Sequence, residues 1–375
     1  MIRNTMEPAR VRSDHRRGAE PLFTGVVGGV DTHKDVHVAA ACDPLGRVLG
    51  TREFSTTTAG YRRLAAWLSS FGTLEAVGVE GTGTWGAGLT RFLTGAGIRV
   101  VEVDRPNRQT RRRRGKSDTI DAEEAARAVV AGRATAIPKA RTGPVESIRL
   151  LRNARKGAMK ARGQAGNQLH ALIDTAPDEV RDRFRDLPSA ARVRAAARLR
   201  PGPITTPTAA AKTAIASVAR RIGHLDDEIA ALDAQLAILV TATAPRLVAR
   251  HGIGIETAGA LLVAAGDNPQ RLAHEHSFAA LCGTSPVEVS SGKRQRHRLN
   301  TGGDREANSA LWRIVIVRMA TDPVTKAYVT RRVAEGRTKK EIIRCLKRYT
   351  ARQAYRDLRA PAQGRGELSR PTSGR

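Results

Sequence analysis

The sequence predicts an α/β domain at its N-terminal end, a mixed sheet flanked by helices, followed by two α-rich blocks. Three observations carry that prediction. Short apolar runs alternate with helix-period segments over residues 26–103. Residues 145–173 and 209–240 keep helical spacing, with Leu225, Ile229, Leu232, Leu236 and Leu239 three or four residues apart. A last α-rich block starts near Pro245 and runs to about Arg359.

The elements follow in order. Val26–Val30 and Val36–Cys42 are apolar runs, Asp43-Pro44-Leu45-Gly46 is a turn, and Arg47–Phe54 is a third strand, so the chain opens as an antiparallel meander. A helix over Thr58–Ser70, a buried strand over Ala76–Glu80, a helix around Trp85–Thr94 and a strand over Arg99–Val103 complete the order βββαβαβ. Residues 105–116 (RPNRQTRRRRGK) interrupt it with a basic loop before a helix over Asp118–Ala131. The two long helices read as an antiparallel or coiled-coil arm, and the 225–239 stripe as core, helix-partner surface or a dimer seam. Four prolines within 187–208 read as a hinge or loop between them. The division is therefore 1–22, a disordered basic tail; 23–140, the sheet domain; 141–245, the helical arm; 246–359, the small α-rich domain; and 360–375, a disordered tail.

Composition narrows the function. The 375 residues carry 64 Lys plus Arg against 36 Asp plus Glu, a net charge of +28, which points to a nucleic-acid partner. With only 3 Trp, 4 Tyr and 6 Phe, base-stacking platforms are excluded as the main mode, and backbone contact should dominate. Cys42, Cys282 and Cys345 stand far apart with no CxxC pair, which excludes a disulfide framework and a cysteine zinc site. No apolar run approaches a membrane span and no signal peptide is apparent, so a cytoplasmic, nucleoid-associated protein without a membrane partner is expected.

Four carboxylates sit at element ends. Asp31 and Glu80 end strands, and Asp118 and Asp121 lie three apart on a helix, hence on one face. Taken singly, each has an ordinary role: a turn acid, a surface charge, an acid offsetting a helix dipole. Together, at the mouth of a sheet, they are how hard divalent cations are held for phosphoryl chemistry. Arg111, Arg112, Arg113, Arg114 and Lys116 directly precede the helix carrying Asp118 and suit a phosphate backbone. His33 and His37 are four apart on a strand-loop-strand stretch, a spacing that does not bring the two together on a metal.

The segments GVDTHKDVHVAAACDPLGRVL, VGVEGTGTW and KSDTIDAEEAARAV resemble the DEDD transposases of bacterial insertion sequences, a family that includes the Piv DNA invertases and the bridge-RNA-guided recombinases. The resemblance implies a RuvC-like, ribonuclease H-type fold for the first domain and a metal-binding tetrad of Asp31, Glu80, Asp118 and Asp121, with Mg²⁺ or Mn²⁺ as its ion.

In the last block, HGIGIETAGALLVAAG (251–266) reads as a Gly-turn and an apolar helix, reminiscent of a helix-hairpin-helix element. Further on, Ser290 and Ser291 stand ahead of Lys293, Arg294, Arg296, His297 and Arg298. Spacing alone favours ordinary turn residues before Gly292; a nucleophilic serine needs nearby positive charge, which this cluster supplies. The segment is similar to the C-terminal transposase domain of the same family, in which the serine before glycine is the nucleophile, so Ser291 fits best and Ser290 is the alternative. Arg305 joins the DNA-contact candidates, although Gly302-Gly303-Asp304-Arg305 departs from the family's Lys-x-Gly-Asn-Arg and Ala307-Asn308 from its Leu-Arg.

The expected function is an insertion-sequence recombinase that cuts and exchanges DNA strands. The resemblance further implies a structured guide RNA, a homo-dimer or tetramer, and a site composed from two subunits. Two rivals stand beside it: a metal-dependent junction resolvase using water, and a non-enzymatic nucleoid protein binding by charge alone.

Overall fold

A computed structural model describes residues 22–104, 117–291 and 297–360, which fall into two units meeting between Lys139 and Ala140. Residues 1–21 and 361–375 of the two expected tails, the basic run with Arg111, Arg112, Arg113, Arg114 and Lys116, and Lys293, Arg294 and Arg296 lie outside the described residues.

The first unit is the expected mixed sheet. Its strands are β1 (Val26–Thr32), β2 (Val36–Cys42), β3 (Val48–Ser55), β4 (Leu74–Glu80) and β5 (Arg99–Val103), in the order β3-β2-β1-β4-β5. The meander pairs antiparallel, while β4 joins β1 and β5 joins β4 in parallel, each through a helical crossover. Helices α1 (Thr58–Ser69) and α2 (Ala87–Gly95) provide those crossovers, and α3 (Asp118–Val130) follows the sheet.

Side-chain alternation sorts the strands into two faces. Val30, Val77, Val79 and Val100 pack with Leu64 and Leu68 of α1 and Leu89 and Leu93 of α2. The opposite face presents Val27, Ala76, Val101 and Val103 to Ala125 and Val129 of α3. The sheet therefore lies between two helical layers, and the second of them carries the aspartates.

In the second unit, α4 (Pro144–Asp174) and α7 (Pro207–Thr243) run antiparallel, as the paired Arg155–Asp233 and Arg162–Asp226 bridges require. Leu225, Ile229, Leu232 and Leu239 are half-buried along α7, and Leu236 is fully buried. The proline-rich connection differs from a plain loop. Short helix α5 (Asp178–Arg181) and then α6 (Ser189–Ala197) lie between the long helices, with Pro188 at the N-cap of α6 and Pro201 beyond its end. Prolines that flank a segment instead of interrupting it bound a helix and do not break it. Leu169, Ile173, Val180, Phe184, Ile215 and Ile222 close a core at that end.

At the other end, α4 and α7 share a core with α8 (Pro245–Val248), α9 (Ile255–Ala265), α10 (Glu275–Leu281), α11 (Arg305–Thr321) and α13 (Lys339–Arg359); α12 (Pro323–Ala334) lies between the last two in sequence. The Gly-turn before α9 includes Gly252 at φ +77°, and α9 is buried along most of its length, which makes it the central helix of this core. Among the described residues no helix is long and apolar enough to cross a membrane.

Candidate metal centre and serine hairpin

The acidic centre starts from two glycines. Gly29 of β1 faces α3 so closely that a Cβ there would lie 2.2 Å from both the Ala122 carbonyl oxygen and the Ala126 nitrogen. Gly78 of β4 does the same beside it, 2.9 Å from the Ala125 carbonyl oxygen. With Ala122, Ala125 and Ala126 as the buried helix residues, the backbone of α3 rests directly on β1 and β4.

The acids follow by strand alternation. Asp31, two residues beyond Gly29, and Glu80, two beyond Gly78, occupy the same sheet face at the C-terminal ends of neighbouring parallel strands. The first turn of α3, with Asp118 and Asp121, lies over that edge. The Thr32 hydroxyl donates to the Glu80 carbonyl at 2.8 Å and ties the two strand ends together. Gly81, at φ +66°, then turns the chain away.

Among the described residues, Asp31, His33 and Asp118 converge as a group that could share an ion. Each offers one donor atom, and the three lie within 4.8 Å of one another. His33 Nε2 stands 3.1 Å from Asp118 Oδ2 and 3.7 Å from Asp31 Oδ2. Asp31 is buried, His33 and Asp118 are open to solvent, and Trp85 sits edge-on to the His33 ring at 6.3 Å. Asp121 is buried in the first turn of α3 and acts electrostatically on Asp31. Burial raises the Asp31 carboxyl above its ordinary range; His33 opposes the rise, and Asp121 and Asp118 add to it. A buried carboxyl among other carboxyls is an environment that favours a cation.

The donor set fits a divalent ion. Donors sharing one ion at ordinary bond lengths lie roughly 3 to 4.3 Å apart, the scale of this group. Glu80 and Asp121 are outside the three-residue group, on the same sheet face and the same helical turn respectively. Sequence reasoning missed His33. His37, four residues on, is buried against Tyr61. The usable signal was the two-residue offset of His33 from Asp31.

The serine segment belongs to the second unit. Val287–Glu288 (β6) pairs antiparallel with His297–Arg298 (β7), Val287 opposite Arg298 and Glu288 opposite His297. Ser290 and Ser291 are exposed on the connection between these strands, and Arg298 and Arg305 are exposed beside it in sequence. Behind it, Gly303 approaches Gly283 so closely that a Cβ would lie 2.3 Å from the Gly283 nitrogen. Asp304 caps α11, accepting from the backbone N–H groups of Glu306 and Ala307 at 2.9 and 3.0 Å. The Asn308 amide donates to the carbonyls of Cys282 and Gly283, and Lys347 donates to its oxygen at 2.6 Å. The departures at 302–308 thus form a clip holding the loop after α10 to the start of α11.

A five-stranded ribonuclease H-type sheet with carboxylates at the ends of β1 and β4, met by a third helix carrying two more, defines the DEDD class of transposase domain. Residues 28–176 match the DEDD transposase model of the IS110 group, and residues 244–330 match the transposase model of the IS116/IS110/IS902 family. The chain belongs to the IS110 family of DEDD transposases.

Curated relatives include the insertion element IS110 uncharacterized 43.6 kDa protein of Streptomyces coelicolor, 30% identical over 127 residues, 33% of this chain and 31% of that one. The pilin gene-inverting proteins of Moraxella bovis and Moraxella lacunata are 33% and 32% identical over 147 residues, 37% of this chain and 45% of each. The matches thus span under half the length of these relatives.

Proposed function

We propose that this protein is an insertion-sequence recombinase that cuts and exchanges DNA strands through a phosphoserine link. The observation that carries the reading is the meeting of Asp31 and Asp118 at one sheet edge, inside the stretch that matches the DEDD transposase family.

In this reading Asp31 and Asp118, with Glu80 and Asp121 beside them, hold Mg²⁺ or Mn²⁺. The ion would act as a Lewis acid on the scissile phosphate. Arg111, Arg112, Arg113, Arg114, Lys116, Lys293, Arg294, Arg296, Arg298 and Arg305 grip the DNA backbone by charge. The Ser291 hydroxyl attacks phosphorus. An Oγ–P bond forms as a bond from phosphorus to a deoxyribose oxygen breaks; the serine proton leaves to solvent, and the freed deoxyribose oxygen is protonated. A hydroxyl from another strand end then attacks the phosphoserine and releases the serine, so bond number is conserved and no external energy source is needed.

The reading includes a structured RNA that selects the DNA and a dimer or tetramer in which one subunit's acids serve another's serine. The family membership supports both.

The test incubates the purified protein with labelled DNA carrying the element's junction, the element's flanking noncoding RNA and Mg²⁺, and reads a denaturing gel. Wild type forms a covalent protein–DNA band, and Ser291→Ala and Asp121→Ala do not. Cutting without that band, undiminished in Ser291→Ala, replaces the reading with a water-using nuclease. DNA binding with no cutting, weakened only by salt, replaces it with a charge-driven binding protein.

A further inference from the structure

We infer that His33 is itself a metal ligand, giving the acidic centre a nitrogen donor that favours Mn²⁺ over Mg²⁺. The inference rests on the metal-site reading above and adds to it a residue outside the tetrad of carboxylates.

His33 lies two residues after Asp31, in the short turn between β1 and β2, whose closure is fixed by the bond from its own N–H to the Val36 carbonyl at 3.2 Å. That turn brings Nε2 to 3.1 Å from one carboxylate oxygen and 3.7 Å from another, on two different elements. A ring nitrogen that merely caps a surface acid needs one partner. This one addresses both, and Trp85 stands against the ring.

The donor chemistry then decides the ion. Mg²⁺ takes oxygen ligands at close to octahedral geometry and retains water, so an imidazole gains it little. Imidazole is a better ligand for later divalent ions, and Mn²⁺ is the borderline case that accepts carboxylate and nitrogen together. Asp31 and Asp118 alone bind either ion; His33 tilts the choice.

The test uses the full-length protein and Mn²⁺ alone, with binding followed by electron paramagnetic resonance and the ligands by electron spin-echo modulation from ¹⁴N. Bound Mn²⁺ should show nitrogen modulation in wild type and none in His33→Ala. The ratio of Mn²⁺ to Mg²⁺ affinity should fall at least about tenfold in His33→Ala. Mn²⁺ that binds, is lost in Asp31→Asn and Asp118→Asn, yet shows no nitrogen modulation in wild type overturns the role of His33 and leaves the carboxylate site standing. Modulation that persists in His33→Ala also overturns it. Absence of bound Mn²⁺, or binding indifferent to Asp31→Asn and Asp118→Asn, removes the metal site itself and the inference with it. Because His33 is only half-buried, its loss should shift the melting temperature little, and the wild-type spectrum alone already decides between the first two outcomes.

Discussion

The Gly29 Cα faces the Ala122 carbonyl at a distance that leaves no room for a Cβ, which would lie 2.2 Å from that oxygen. The obstacle is backbone on both sides, so a side chain there is accommodated only by moving α3. Gly29→Val should therefore cost about 3 kcal/mol in stability, the upper range for overpacking. It should also lift Asp118 and Asp121 from Asp31. The expected result is a lowered denaturation midpoint together with loss of Mn²⁺ binding in the fraction that remains folded; unchanged binding would show that α3 does not need this seat.

Asp304 stands where the family pattern has asparagine, and its geometry predicts that the exchange costs little. The carboxylate accepts from two N–H groups in the first turn of α11, a task an asparagine oxygen performs as well. Asp304→Asn should be close to neutral in thermal denaturation, whereas Asp304→Ala should cost about 1 kcal/mol.

His37 is fully buried, stacked on Tyr61 with ring centroids 5.8 Å apart, and burial pushes its pKa from 6.5 down to about 4. Between those two values the unfolded chain takes up a proton that the folded chain refuses, so stability falls as pH drops from 6.5 toward 4 and is level again below. The loss amounts to about 3 kcal/mol at most. Asp31 acts in the opposite sense, since its raised pKa lets the folded state hold a proton that the unfolded state has released. Comparing denaturant midpoints of wild type and His37→Phe from pH 7.5 to 4 separates the two: the variant should lose the acid-side decline, and an unchanged decline would assign it to other groups.

Much of this architecture is written locally. The apolar runs of β1 and β2 and the turn at Asp43 specify the meander, and the order of the acids, met at strand ends and then on a helix, locates the centre. What depends on tertiary approach is not visible in the same way. Nothing in the period of residues 26–32 says that Gly29 is a seat and not merely flexible. The spacing of His33 from His37 carries no helical convergence, and the acid His33 does meet, Asp118, is 85 positions away. The α6 helix was masked by prolines whose effect depends on whether they stand inside a segment or at its borders. The clip through Asn308 and Lys347 likewise joins residues that no short-range pattern connects.

Ser290 and Ser291 are both exposed on the connection between β6 and β7, and chemistry must separate them. A nucleophile in phosphoryl transfer has to align its oxygen with the bond that breaks. A single attack on phosphorus uses one of the two hydroxyls. Ser291→Ala should abolish the covalent DNA adduct, a loss of at least about a thousandfold given what removing a catalytic nucleophile costs, while leaving DNA affinity within a factor of about two. Ser290→Ala should keep the adduct, and peptide mapping of the wild-type adduct should place the phosphate on Ser291. The reverse pair of results would move the nucleophile by one residue without altering the mechanism. An adduct that survives both substitutions, including the double variant, would remove serine from the chemistry altogether.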